Sequence, residues 1–518
     1  MSSKVNEALF ELINSMTKSE KRYFKLLSSR HAIGGENNYT LLFDKIDEQK
    51  VYNEEKIFKK FKGEAFLNRF SITKKRLYDH ILAALDSYYM TNSINAQLYK
   101  KLHSADILYD KSLYDQCHRI LRSAEKVALK NDKHEILMLI SSKQKMLLET
   151  NGYLKITHDS IDEIYEKDRD NIARLKQFSK LWSVKSKLFT QLSKQGKSRS
   201  KKDVDLYRSI CDDVFTINVN EIYSIETKYL YYHIKSAYFY SIDDLENSLF
   251  NLNKNLALFK SDFNTQIESN KQVSVYTNAI HVADKLGYYK ESYRHLFQLK
   301  KMIPSTAVNE DLAIKLFSSI TSIELNICLR KGEFENAEKV GRTIQEKLIE
   351  FDDKIVPIRK AYLCFKMAVA SMGVGKFSDA HSWINRILND NRLDKKEDII
   401  AYTHLLDLLI QIELKSDKLL PYSLKNTLRF FKTRNRMYGF ETIFLQFVGE
   451  FIKCEDPFEV ENLWDDLHVN LTRIATNSYE SIALDYFDFT AWAEAKLKRK
   501  TFENLIRERY HQTIKAAS

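Results

Sequence analysis

Gly332-Glu-Phe334-Glu-Asn-Ala337 and Gly375-Lys-Phe377-Ser-Asp-Ala380 share one grammar: a turn-permitting residue, a bulky apolar residue two later, and a small residue three after that. Ser112-x-Tyr114-x-x-Cys117, Asp243-x-Leu245-x-x-Ser248 and Gly287-x-Tyr289-x-x-Ser292 follow the same rule. The last four copies along the chain begin 44, 45 and 43 residues apart. A period of that length, built from two helices, is the signature of a solenoid. Each residue type has a physical reason. Glycine at the turn permits positive φ at the end of the first helix. The bulky residue packs the second helix onto the first, and the small residue sits where two backbones approach closely.

The rest of the composition agrees. In 518 residues there are only 12 Gly and 4 Pro, too little punctuation for a β-rich or loop-rich chain. With 29 Tyr and 30 Phe there is ample area to bury, which excludes disorder. The expected fold class is all-α, a right-handed α-α superhelix with a repeat period of about 43–45 residues and an N-terminal helical module.

Five scattered cysteines with no CxxC pair read as reduced thiols. The start, MSSKVNEALFELINSM, carries charge through what would be the apolar part of a secretory signal. No run approaches 18 uncharged apolar residues, so no membrane partner is expected, and the expected location is cytoplasmic. The net charge of +11 permits nucleic acid as a partner without demanding it, because the excess is diffuse. Residues 1–100 hold 17 Lys/Arg against 12 Asp/Glu.

Residues 1–95 lie outside the repeat and read as short helices near 4–15, 18–30, 38–50, 53–62 and 66–90. Thr17-x-x-Glu20 is a capping box. Gly34-Gly35 marks a loop and Gly63 a break. Residues 96–515 form the solenoid, degenerate at about 155–225 and 400–515, with a frayed copy of the motif at Asp417-x-Leu419-x-x-Tyr422. The tract 194–202 has five cations and no apolar residue, and reads as an exposed loop. Residues 481–515 read as a terminal repeat with a polar outer face.

The turn motif resembles that of the tetratricopeptide repeat family, although the period here is longer and the family's Trp and Pro are missing. The resemblance implies that the first helix of each pair lines a concave groove holding a protein or peptide segment. Mapped back from each turn, the implied groove residues are Tyr99, Tyr109, His233, Tyr240, Thr277, His281, Asp284, Ser322, Asn326, Tyr362 and Phe365. Aromatic anchors mixed with hydrogen-bonding groups suit peptide recognition.

No catalytic constellation emerges. Gly375-Lys376-Phe377 lacks the upstream Gly and the following Ser/Thr of a phosphate loop, and no HExxH, CxxC or GxSxG occurs. No cofactor, metal or enzymatic activity is expected. A second reading is nucleic-acid association, as a DNA-binding regulator through residues 53–90 or as an RNA- or ribosome-associated factor. Its candidate contacts are Lys74, Lys75 and Arg76, in a helix-turn-helix-like layout over 53–90, and Lys197, Arg199, Lys201 and Lys202. The stretch 429–438 adds cations interleaved with aromatics, among them Arg434 and Arg436. The N-terminal module is otherwise a cap or docking element. The leading expectation is a cytoplasmic adaptor that binds a partner segment in its groove.

Overall fold

In the computed structural model, all five turn residues of the motif adopt the left-handed conformation: Ser112 (φ 58°), Asp243 (62°), Gly287 (77°), Gly332 (69°) and Gly375 (78°). The next residue donates its N–H to the carbonyl five positions back, as in Leu113 to Leu108, Asp244 to Phe239, Tyr288 to Ala283, Glu333 to Cys328 and Lys376 to Ser371. This is the Schellman arrangement, which satisfies carbonyls at the helix end and reverses the chain. Asp132, Gly152, Lys415 and Arg499 also have positive φ, and each is followed by the same bond. The frayed copy therefore turns at Lys415 rather than Asp417. With no glycine there, sequence spacing misplaced it by two residues.

The structure describes residues 2–29, 38–90, 93–154, 156–259, 268–303, 310–351, 354–394, 398–434 and 437–517. The Gly34-Gly35 loop and Arg436 lie outside them. Among the described residues there are α-helices, short 3-10 turns and no strand.

The chain divides into two compact units, Met1–Asn171 and Ile172–Ser518. The division lies within one helix, well beyond the expected boundary near residue 95. Unit 1 begins with α1 (Ser2–Ser15), α2 (Lys18–Ser29), α3 (Asn38–Asp47), α4 (Glu54–Lys60) and α5 (Phe70–Tyr89). These share a core of Leu9, Ile13, Phe24, Leu42, Phe43, Ile57, Leu77 and Ile81. The Thr17 capping box is formed in both directions, Thr17 N–H to Glu20 Oε2 at 2.5 Å and Glu20 N–H to Thr17 Oγ1 at 3.3 Å. Residues 65–69 form a 3-10 turn between α4 and α5. The helices α6 (Ile94–Asp110), α7 (Tyr114–Lys130) and α8 (His134–Thr150) then pack around Leu98, Leu102, Cys117, Leu121 and Ile140. The helix α9 (His158–Gln195) carries the chain into unit 2.

Unit 2 is an all-α superhelical solenoid of helix hairpins. It contains α10 (Lys201–Phe215), α11 (Ile225–Ser241), α12 (Leu245–Leu258), α13 (Ser269–Lys285), α14 (Tyr289–Lys301), α15 (Glu310–Lys331), α16 (Phe334–Phe351), α17 (Pro357–Gly373) and α18 (Phe377–Leu388). It continues through α19 (Asp398–Glu413), α20 (Leu420–Thr433), α21 (Gly439–Phe451), α22 (Pro457–Ala475), α23 (Phe489–Leu497) and α24 (Phe502–Ala517). The pairs α11–α12, α13–α14, α15–α16 and α17–α18 are hairpins, and α13, α15, α17 and α19 contact one another in sequence.

The small motif positions are buried throughout: Cys117, Ser248, Ser292, Ala337 and Ala380 are each at most 2% exposed. Two of them also bond the facing helix twelve residues back. Ser248 Oγ donates to the Ser236 carbonyl at 2.9 Å, and Cys117 Sγ donates to that of Ala105 at 3.3 Å. Successive repeats approach as closely: a Cβ on Gly373 would lie 2.1 Å from the Phe334 ring.

α15 is long and apolar enough, by length and composition, to cross a membrane. Half of its apolar window is buried here, and it packs against α13, α16 and α17. The C-terminal segment is not a simple end cap. Arg507 Nε donates to the Gly332 carbonyl at 3.0 Å, Phe502 packs on Phe334, and Tyr510 lies beside Tyr289. Helix α24 thus folds back onto the turns of two earlier repeats, because Phe502 finds buried apolar surface there.

Candidate functional site

The first helices of the unit 2 hairpins enclose two adjoining cavities. The larger, about 600 Å³, is lined from α9, α11, α12, α13, α15 and α17, the 196–197 segment, Asp398, and Ile482, Asp485 and Tyr486. The smaller, about 340 Å³, is lined from α13, α15 and α17. Asn278, His281, Asn326, Tyr362 and Lys366 line both, so these five mark the junction. The volumes fall in the range of small-molecule and short-segment sites.

Of the groove residues expected from sequence, Tyr240 and Phe365 line the larger cavity, Thr277, Asp284 and Ser322 the smaller, and His281, Asn326 and Tyr362 both. Three lie elsewhere. Tyr99 and Tyr109 belong to unit 1, the first exposed and the second donating to or accepting from Thr150 Oγ1 at 2.7 Å. His233 is 4% exposed and stacked between Phe189 and Tyr229, with ring centroids at 5.1 and 5.3 Å. Burial, with Lys185 adding, pushes its pKa down to about 4. It is a packing residue rather than a groove residue, because both faces of its ring are covered.

The expectation for 194–202 is overturned at its centre. Lys197 and Ser198 are buried, and so is the Arg199 side chain. Lys197 Nζ pairs with Asp243 and, at 3.1 Å, with Asp485, and it lies 4.8 Å from the centre of the Tyr240 ring. Arg199 reaches Glu441 at 2.6 Å and Glu480 at 2.8 Å, donates to Tyr402 at 3.1 Å, and stacks over Tyr438. Lys197 and Arg199 are buried here because distant carboxylates match both cations. Lys197 and Arg199 are therefore withdrawn as nucleic-acid contacts. Lys74 is withdrawn too: it is 7% exposed, pairs with Glu54 at 3.1 Å, and lies 4.8 Å from the Phe70 ring centre. Lys75, Arg76, Lys201 and Lys202 are exposed.

The larger cavity holds a charged cluster that sequence reasoning missed. Asp485 also pairs with Lys285. Burial alone would raise the Asp485 carboxyl, but Lys285 and Lys197 hold it below its ordinary value. Burial pushes Lys285 down to about 8 against the pull of Asp485. His281 is pushed to about 3 by burial, with Lys285 and Lys366 adding, so it is neutral. Burial raises Tyr240 to about 12. Lys366 is lowered to about 7 by burial, donates to Ser322 Oγ and, at 3.2 Å, to the Ser322 carbonyl, and pairs with no carboxylate among the described residues. Asn278, exposed, and Asn326, half-buried, present their amides at the junction.

Lys366, Lys285 and Asn278 were within reach of sequence reading. They stand at i+4 from Tyr362, i+4 from His281 and i−3 from His281, on faces already singled out. Asp485 and Tyr486 enter from more than a hundred residues away and carry no local signal. Among the described residues no group of three or more His, Cys, Asp or Glu is placed to hold a metal ion.

No family model matches the chain, and no curated protein matches it. Among solved structures, the crystal structure of NprR in complex with its cognate peptide NprX is similar over 73% of this chain and 98% of that one. The identity is 14% and the TM-score 0.40.

Proposed function

We propose that the chain is a non-enzymatic interaction protein of the cytoplasm that receives a partner segment in the unit 2 cavities. The observation that carries this reading is the junction itself. Five side chains from three successive first helices converge on a space framed by aromatic walls. Two of them, Asn278 and Asn326, carry carboxamides that can both donate and accept. A preformed concavity with apolar walls and a few convergent polar groups is the usual form of a binding site. Its mechanism is capture, with no bond chemistry.

The test is recovery of tagged full-length protein from native cells with and without nuclease, beside Tyr362→Ala and Asn326→Ala. A partner kept after nuclease and lost from both variants supports the reading; a partner kept by both overturns it. The second reading, nucleic-acid association, rests on the exposure of Lys75, Arg76, Lys201 and Lys202. It predicts nuclease-sensitive recovery and steep salt dependence.

A further inference from the structure

The charges around the larger cavity are not evenly paired. Lys197 and Lys285 share Asp485, and Lys197 has Asp243 besides. Asp398 lies against Gly196: a Cβ there would be 1.6 Å from its Oδ2. Lys366 stands at the junction of the two cavities with only Ser322 as partner among the described residues. Beside it stand neutral His281 and the amides of exposed Asn278 and half-buried Asn326. An ammonium taken from water without a counter-charge is costly, and an anion brought to it recovers that cost. The walls leading away are apolar: Phe189, Leu252, Ile358 and Val369.

We infer that this cavity receives an organic monoanion, its anionic head at Lys366 and the junction amides and its apolar body among Phe189, Leu252 and Val369. The inference rests on the cavity being the binding site proposed above, and it adds the ligand's chemistry. One uncompensated ammonium calls for one negative charge. Lys197 and Lys285 are already neutralised and do not call for a second. About 600 Å³ admits a bicyclic or acyl body together with a head group. A free acid and the acidic residue of a peptide share this chemistry; the first is tested by dye, the second by competition.

The experiment uses two dyes of nearly equal shape on the full chain: anilinonaphthalenesulfonate, which is anionic, and phenylnaphthylamine, which is neutral. Saturable binding of the sulfonate, tighter than that of the amine, is expected. Lys366→Met should weaken the sulfonate about tenfold or more, as loss of a charged hydrogen bond does, and leave the amine nearly unchanged. Lys366→Arg should restore it. Val369→Trp should abolish both by filling the cavity, while Lys201→Met, at the exposed surface, should change neither. Cooperative unfolding of each variant shows that the dyes report the folded chain. Short peptides with an acidic and an amidated terminus, otherwise alike, then compete for the bound dye, and preference for the acid is expected.

Equal loss of both dyes in Lys366→Met, or no loss of either, overturns the inference. Failure of the wild type to bind either dye also overturns it. In that case a nuclease-resistant partner lost from Tyr362→Ala leaves the proposed function standing, so the two failures are distinguishable.

Discussion

Arg199 meets Glu441 in a paired hydrogen bond, Nη1 to Oε1 at 2.6 Å and Nη2 to Oε2 at 3.2 Å, across 242 residues of sequence. The Arg199 and Glu441 side chains are 7% and 3% exposed. Glu480 completes the set and accepts in turn from the backbone N–H groups of Gly439 and Phe440. The segment between α9 and α10 is thereby bound to α21 and to the stretch before Asp485, and Lys197, two residues earlier, reaches the cavity.

Arg199→Met should cost about 3 kcal/mol or more, since it leaves buried carboxylates without their counter-charge. Glu441→Gln should cost less, and the double variant less than the sum of the two, because the orphaned charge is removed. Urea denaturation followed by circular dichroism measures all three, and additive losses would contradict the coupling.

Gly196 and Gly287 both have positive φ, 67° and 77°, but only Gly196 is crowded. Gly287→Ala meets nothing within 4 Å and should cost roughly 1 kcal/mol from backbone strain alone. Gly196→Ala drives a methyl into Asp398 and should cost clearly more. Melting temperatures of the two variants side by side decide it.

His233 makes stability depend on acid. Its folded pKa, about 4, lies below the ordinary 6.5, so the unfolded chain binds its proton first as pH falls. The stabilisation is complete above pH 6.5 and drains away toward pH 4. A shift of that size corresponds to about 3 kcal/mol at most. His281 and His404, lowered by burial to about 3 and about 4, add to the same slope. His233→Phe, which keeps the stack between Phe189 and Tyr229, should flatten the loss over this window. Equilibrium unfolding at pH 7, 6 and 5 measures it, and an unchanged slope would refute the assignment.

The small motif position tolerates removal better than growth. Ser248→Ala loses one buried hydrogen bond and should cost about 1 kcal/mol. Ala380→Leu pushes three more heavy atoms between α17 and α18 and should cost about 2 kcal/mol or more. Thermal melts of both variants compare the two costs.

The helix-hairpin architecture was legible because it is local. A left-handed residue at a helix end, a bulky residue after it and a small one a turn later act over about six residues, and every copy meets the same steric demand at Cys117, Ser248, Ser292, Ala337 and Ala380. Eight of the eleven groove residues read from sequence line the cavities for the same reason: the face of a first helix is set by counting back from its turn. His233 fell outside because covering both faces of its ring takes Phe189 from α9, which no count along α11 contains. The burial of Lys197 and Arg199, the return of α24 onto Gly332, and the Asp485 cluster were decided only in three dimensions. A charged side chain looks solvated in sequence whether or not carboxylates wait for it a few hundred residues on. Helix and turn follow from forces between neighbours along the chain; whether a cation is buried depends on the summed field of groups that only the tertiary fold brings together.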